Sequence, residues 1–307
     1  VTKMEGNSFA KNTILLVYED SYAHTYIKNK DVLFFAIRTT NAVEEARRIH
    51  ATSNVVTAAL GRFITGSLLL AENMKGDNDT QTTTIKSDGP IRGMTCVCDS
   101  KGHARAYAIN NDVEATYHKP GKLNVGEAVG NGMLTIIRDI GLREPYVGSV
   151  ELLTGEIAED FTYYLAKSEQ TPSIVALGVQ MKDGHVANAG GMMIQLMPGA
   201  SEEDISYLEK RASGGFPDIT FLMEEGFTPE QIVDLFIGDP EIAYLSGAPV
   251  SYKCNCSEER MSRGIAALPK SEIEELASDP NGIDIECHFC DKRYHFTPED
   301  VRRILEE

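Results

Sequence analysis

Alternating and continuous runs of apolar side chains divide the first 200 residues into short strands separated by turns. Residues 32–37 form an apolar run bounded by Asp31 and Arg38, which predicts a buried strand. Residues 80–86 alternate, and a Ser-Asp-Gly-Pro turn follows them. Further strands are predicted at 91–99, 104–109, 133–139 and 173–181, the last followed by a turn at Asp183-Gly184 and a partner strand.

Helical patterns interrupt these strands near Asn41 and over residues 53–74 and 155–167. Asn41 and Glu44 have the spacing of a capping box, which predicts that Asn41 caps the first helix. In the second helix, Gly61 and Gly66 would permit close packing. Hairpins combined with packed helices predict an α+β fold, with an N-terminal antiparallel-sheet domain over residues 1–200 rather than a doubly wound sheet.

The most apolar stretch, residues 55–71, does not predict a membrane span. It contains Arg62 and several hydroxyl side chains, whereas a span needs roughly 18 uninterrupted apolar residues. We therefore expect a buried helix. The start at residues 1–5 lacks the apolar core of a signal peptide, and Val1 to Lys3 precede a methionine. A cytoplasmic protein with no membrane partner is expected.

Residues 201–250 differ in composition from the first 200 residues and predict a helical, acidic linker. Ser201 can cap a helix with an acidic first turn, and Thr228 with Gln231 forms a second capping box. Glycines break the segment into pieces too short to be stable helices alone. The segment carries eleven acidic and two basic side chains, a net charge of −9. We expect it to be weakly stable and to depend on the domains at both ends.

The formal net charge of the whole chain is −17, and most of the excess lies after residue 200. Nucleic-acid affinity comes mainly from lysine and arginine side chains that neutralise phosphates. The acidic balance therefore argues against a nucleic-acid partner, which a four-cysteine site would otherwise suggest.

Residues 251–307 contain two cysteine doublets and predict a small zinc module. Cys254, Cys256, Cys287 and Cys290 can supply four thiolates, the preferred ligand set of structural Zn²⁺. His288 and His295 could substitute, but four thiolates already fill the coordination shell. A helix near residues 269–276, a hairpin around the second doublet and a last helix from residue 297 complete this module. So small a domain needs a metal to remain folded.

The two doublets differ in how easily each could form a disulfide. A Cys254–Cys256 bond would be strained, because residues two apart on extended backbone have α-carbons near the upper limit of about 7 Å. Cys287 and Cys290 could close within a turn. Thiolates are also the form that oxidants attack. The four cysteines can therefore be a structural metal site or an oxidation-triggered switch, and spacing alone does not decide between them.

The other candidate residues favour structural roles. Cys96 and Cys98 share one face of a predicted strand and are expected to be a buried apolar pair. His50, near a helix end, is expected to be a structural hydrogen-bonding group. The glycines at 126, 130 and 132 match neither the dinucleotide fingerprint nor the phosphate loop. No nucleophile, base and orienting group stand at recognisable spacing, so no enzyme is predicted.

Specific motifs carry a resemblance to a known family. The C-terminal motifs are Lys253-Cys254-x-Cys256-Ser257, Leu268-Pro269 and Ile285-x-Cys287-x-x-Cys290 with Tyr294 and Phe296. Earlier motifs are Ala59-Leu60-Gly61-Arg62, Gly89-Pro90, Val129-Gly130-Asn131-Gly132, Ser168-Glu169-Gln170-x-Pro172 and Ala189-Gly190-Gly191-Met192 with Gln195-x-Met197-Pro198. Over nearly the whole chain, the sequence resembles the heat shock protein 33 family of bacterial holdase chaperones. Cys96 and Cys98 are not part of the family pattern.

The resemblance implies a redox-regulated, ATP-independent holdase with one Zn²⁺ per chain. It implies that oxidation forms the disulfides Cys287–Cys290 and then Cys254–Cys256, releases the metal and unfolds the switch and linker, which protects unfolding client proteins under oxidative stress. It also implies a homodimer, and it leaves the client-binding surface unknown. Two alternatives remain: a zinc-ribbon adaptor with a purely structural metal, and an enzyme in the N-terminal domain.

Overall fold

The computed structural model describes residues 20–27, 32–119, 121–238 and 244–306; the chain start considered above lies outside them. The strands are β1 (Ser21–Ile27), β2 (Val32–Arg38), β3 (Thr80–Ser87), β4 (Gly93–Asp99), β5 (His103–Ala108), β6 (Tyr117–Lys119), β7 (Lys122–Leu123), β8 (Gly132–Asp139), β9 (Tyr146–Glu151), β10 (Ser173–Lys182), β11 (His185–Leu196), β12 (Tyr244–Pro249), β13 (Ser251–Tyr252), β14 (Ile283–Glu286) and β15 (Arg293–Phe296). The helices are α1 (Thr40–His50), α2 (Asn54–Ala71), α3 (Val125–Val129), α4 (Ala158–Lys167), α5 (Glu202–Ser213), α6 (Ile219–Glu224), α7 (Pro229–Ile237), α8 (Glu258–Ala266), α9 (Lys270–Leu276) and α10 (Pro298–Glu306).

Two sheets form the main body of the protein and confirm the predicted α+β class. One has the strand order β10-β11-β2-β1-β12 and the other β13-β5-β4-β3-β8-β9. All pairings within them are antiparallel except the short contact of β13 with β5, which is parallel. The predicted strands at 32–37, 80–86, 133–139 and 173–181 are present within a residue or two of their expected ends.

Helix α2 lies between the two sheets and forms the centre of the core. Its buried face contacts apolar side chains of both sheets, including Ile37 and Met193 of one and Met94 and Leu134 of the other. By length and composition α2 could cross a membrane, but 89% of it is buried inside the protein, as predicted for a core helix. Close packing at Gly66 is confirmed, because a Cβ there would overlap the ring of Phe161.

The predicted capping box at Asn41 is wrong. Helix α1 begins at Thr40, and its first N–H groups donate instead to the carboxylate of Asp20, at 3.0 Å from Asn41 and 2.7 Å from Ala42. Glu44 binds Arg47 and the backbone N–H of Val186. A residue twenty positions earlier therefore caps this helix, which local spacing does not indicate.

Helices α5, α6 and α7 cover the face of the five-stranded sheet that points away from α2. Ile232, Val233 and Phe236 pack against Phe34 and Met192 of that sheet. The predicted caps are present, because Ser201 accepts from the N–H of Asp204 and Thr228 from that of Gln231. This packing supplies the neighbour that such short helices need.

Strands β12 and β13 carry the chain from one sheet edge to the other immediately before the first cysteine doublet. Val250, between them, is buried in the main core. The division of the chain at residues 200 and 250 stays a prediction.

Candidate metal centre

The two cysteine doublets lie on backbone that the fold holds in place. Cys254 and Cys256 follow β13, where the N–H of Lys253 donates to the carbonyl of Ala104 at 2.8 Å. Cys287 and Cys290 lie in the tight turn between β14 and β15. In that turn the N–H groups of Cys290 and Asp291 both donate to the Cys287 carbonyl, at 3.2 and 2.8 Å. We call residues 287–291 the knuckle.

The four sulfurs lie close together around a common centre, and the distances between them fit one tetrahedral ion. All lie within 4.8 Å of one another, with 3.7 Å between the sulfurs of Cys254 and Cys287 and 3.3 Å between those of Cys256 and Cys290. Four thiolates about 2.3 Å from one Zn²⁺ would be separated by about 3.8 Å. The site is therefore large enough and has the donor set for zinc.

The thiol of Cys256 has a lowered pKa. Burial alone would raise the pKa of its thiol, but hydrogen bonds outweigh this effect and lower the pKa to about 7. The strongest comes from the Tyr294 hydroxyl, which donates to the Cys256 sulfur at 3.1 Å. A donor aimed at a ligand sulfur stabilises the thiolate that a metal requires.

At Cys254 and Cys290 the effect of burial dominates. It raises the pKa of Cys254 far above its usual range and that of Cys290 to about 11. A divalent ion must therefore displace protons from the site as it binds, and the thiolates depend on its charge.

The predicted alternative ligands are not at the site. His295 binds Asp284 at 2.8 Å, and the ring of His288 lies 5.5 Å from that of Tyr107. Within the described part of the chain, the four cysteines are the only such ligand cluster.

Cys96 and Cys98 form a separate buried pair, with their sulfurs 3.7 Å apart in the main core. Burial raises the pKa of Cys98 well above its usual range, which leaves this thiol protonated. The prediction of an apolar pair is confirmed.

Only a small apolar core supports the site. Its large buried members come from α8, α9, β15 and α10, and they are Ile265, Ile273, Tyr294, Phe296 and Val301. Helix α8 was not predicted from the sequence. Since so few groups are buried, we expect bound metal to supply much of the stability of this module.

Three residues near the site were not predicted. They are Tyr294, which donates to Cys256; Tyr252, whose hydroxyl contacts the knuckle; and His50, which contacts Asp291. The aromatic character of residue 294 was visible, but its hydroxyl contact depends on the folded hairpin.

The fold and site together define an α+β protein with a cluster of four cysteines near its C-terminal end that could hold a metal ion. The sequence profile described as "Hsp33 protein" matches residues 20–297, and the chain belongs to this family. It is 43% identical over 273 residues to the 33 kDa chaperonin of Ruminiclostridium cellulolyticum, covering 89% of this chain and 93% of that protein. It is 44% identical over 280 residues to the 33 kDa chaperonin of Clostridioides difficile, covering 91% and 96%.

A solved structure agrees with this assignment. The crystal structure of the 33 kDa chaperonin (heat shock protein 33 homolog) of Thermotoga maritima superposes with a TM-score of 0.85 at 31% identity, covering 94% of this chain and 98% of that one. These relatives are named as chaperonins, which supports a chaperone role rather than an enzymatic one.

Proposed function

We propose that this protein is a redox-regulated, ATP-independent holdase that binds one Zn²⁺ through Cys254, Cys256, Cys287 and Cys290 when reduced. The observation that carries the proposal is the convergence of these four sulfurs within 4.8 Å in a member of the Hsp33 family. When bound, zinc keeps the four sulfurs ionised and cross-links the segment after β13 to the β14–β15 hairpin.

Oxidation by hydrogen peroxide converts each pair of thiolates to a disulfide. One thiolate attacks the terminal peroxide oxygen, the O–O bond breaks, and a sulfenic acid forms while the leaving oxygen takes a proton to become water. The second thiolate attacks the sulfenic sulfur, an S–S bond forms, and the departing hydroxide is protonated to a second water. The two sulfurs lose two electrons, and the peroxide gains them. Each such step removes two of the four metal ligands.

The proposed pairs are Cys287–Cys290 and Cys254–Cys256, formed in that order. The shortest sulfur distances run between the doublets, so Cys254–Cys287 and Cys256–Cys290 are the alternative pairing. Pairing within a doublet is supported by chain connectivity, because partners two or three residues apart stay close after the module opens. Partners more than thirty residues apart separate once the hairpin melts.

Loss of the metal would then loosen the linker. Helix α5 buries only Leu208, whereas α6 and α7 pack seven buried apolar side chains against the sheet. An acidic segment whose first helix buries so little surface is poorly stabilised once the module beyond it unfolds. The unfolded linker and the sheet face it leaves would offer apolar surface to unfolding client proteins. We further propose self-association as a homodimer and action in the cytoplasm during oxidative stress.

The test compares metal content, thiol state and client protection in one experiment. Reduced protein should hold one Zn²⁺ and give little protection, whereas peroxide under mildly unfolding conditions should release the metal and suppress aggregation of an unfolded client. Peptide mapping of the oxidised protein should recover the two doublet disulfides. Metal release without any gain in protection would instead favour a structural zinc-ribbon adaptor.

A further inference from the structure

The knuckle lies against strand β5 of the six-stranded sheet, with Phe289 half-buried there. The ring of Phe289 packs edge-on against that of Tyr107, with centroids 5.2 Å apart and planes at 75°. The guanidinium of Arg105 lies over the Phe289 ring, 5.1 Å from its centroid. Aromatic and cation–π contacts of this kind hold the two surfaces in one orientation.

Two polar contacts join the same surfaces. The Tyr252 hydroxyl lies within hydrogen-bond distance of the carbonyls of Phe289 and Ala106, and so bridges the knuckle to β5. Buried His50, at the end of α1, places its Nδ1 3.4 Å from the Asp291 carboxylate. The knuckle is therefore anchored at its tip and at its C-terminal end.

The anchored atoms lie inside the ring that the Cys287–Cys290 disulfide would close. His288 and Phe289 are the two residues between Cys287 and Cys290, and both of their rings contact Tyr107. Joining the two sulfurs by a covalent bond of about 2.0 Å contracts the turn. The backbone that must move is the segment that Tyr107 and Tyr252 hold on β5.

We propose that Phe289 is a positioning residue that docks the knuckle on β5 and thereby slows formation of the Cys287–Cys290 disulfide. Undocking and closure of this bond are coupled: the docked knuckle resists oxidation, and the oxidised knuckle leaves β5. This inference adds a regulating contact to the proposed function and rests on it for the identity of the disulfide. The electrons pass from the two sulfurs to hydrogen peroxide as described above.

The test measures metal release from full-length, zinc-loaded protein treated with hydrogen peroxide, followed with a chromogenic chelator. Phe289→Ala and Tyr107→Ala should load one Zn²⁺ as wild type does and release it about 2- to 10-fold faster, the range expected for loss of one aromatic contact. Tyr117→Ala, at an exposed tyrosine on β6, is the matched control and should release zinc at the wild-type rate. Wild-type or slower release from both docking variants would overturn the proposal.

A more conservative variant keeps the test valid if the alanine variants misfold. Tyr252→Phe removes only the hydroxyl that bridges the carbonyls of Phe289 and Ala106, and it should also accelerate release and raise hydrogen exchange at residues 103–108 in the reduced protein. Unchanged release and exchange in this variant would overturn the bridging role. Client protection measured in parallel separates the two ideas: release at an unaltered rate with full protection rejects the docking role alone. Faster release without protection in any variant rejects the holdase alone.

Discussion

Gly178 and Gly190 face each other across β10 and β11 and together form the seat of linker helix α6. A Cβ at Gly178 would lie 2.7 Å from the methyl carbon of Thr220, and one at Gly190 would overlap the end of the Met223 side chain. The absence of two side chains from neighbouring strands thus lets the helix approach the sheet backbone.

Adding a side chain at Gly178 should weaken the packing of α6 on the sheet. Gly178→Ala places a methyl group against Thr220, and overpacking of this kind costs about 1–3 kcal/mol. Since the three atoms nearest to that methyl group all belong to Thr220, we expect the loss to fall on α6 rather than on the sheet. Hydrogen exchange should increase over residues 219–237 in the reduced protein, with little change over residues 80–99.

A second substitution provides the control. Thr220→Ser removes the methyl carbon that the new side chain would meet, so the double variant should recover much of the lost protection. Equal exchange in the single and double variants would show that Gly178 matters for the strand and not for the seat. Gly190→Ala is less informative, because its Cβ would also meet the Ile37 carbonyl.

The Tyr294 hydroxyl should strengthen metal binding. Tyr294→Phe keeps the ring that packs in the module core and removes only the hydrogen bond to the Cys256 sulfur. Loss of a hydrogen-bond partner of a metal ligand commonly weakens metal binding about 10- to 100-fold. Competition with a zinc chelator should show a loss in this range, whereas Tyr117→Phe should not. Unchanged affinity would mean that the hydroxyl only fills space.

Asp20 should make stability depend on pH. Burial raises the pKa of this carboxyl to about 6, above the value near 3.8 expected once the chain unfolds. At pH values between these two, the folded state holds a proton that the unfolded state releases. The stability that this protonated carboxyl contributes is therefore lost as pH rises from about 4 to 6. The difference amounts to at most about 3 kcal/mol.

The measurement is urea unfolding of wild type and Asp20→Asn at pH 4.5 and 7. The amide keeps an oxygen acceptor for the first N–H groups of α1 but does not titrate. Wild type should gain stability relative to this variant at the lower pH, and effects of acid on the metal site cancel between them. A gap between the two proteins that stays constant with pH would contradict a raised pKa.

Removal of the metal should unfold the C-terminal module but not the sheets. Chelation of the reduced protein, or Cys287→Ser, should abolish exchange protection over residues 254–306, because metal binding worth about 10–16 kcal/mol is coupled to folding there. Residues 80–99 should keep theirs, since their core is formed by α2 and both sheets. Cys96→Ser, outside the site, should bind zinc normally. Protection that survives chelation would show that apolar packing alone folds the module.

The local sequence pattern was sufficient to predict features whose interacting residues lie close together in the chain. The apolar run at 32–37, the cap at Thr228 and the two doublets were all recognised, because a strand period, a capping box and a thiolate pair each need only a few neighbouring residues. The sequence alone therefore identifies the four cysteines of the candidate site.

Contacts between distant segments were not visible in the sequence. Asp20 was not expected to cap α1, because the strand between them must fold back first. Nothing in the spacing places Tyr107 against Phe289, since that contact requires the knuckle to be carried to β5 by β13. The exposed edge strand β9 was also missed, because its short alternation includes a glycine and a serine.

The linker helices α5 to α7 lie between two sheet strands, β11, which ends at Leu196, and β12, which begins at Tyr244. A segment that melts between two fixed points becomes a closed loop, so it searches fewer conformations than a free tail and its ends remain beside the place they left. If the linker unfolds as we propose, its reach would be limited to the neighbourhood of its own sheet, and a bound client would be kept there too. On reduction, the loop would need no long-range search to pack against the sheet again.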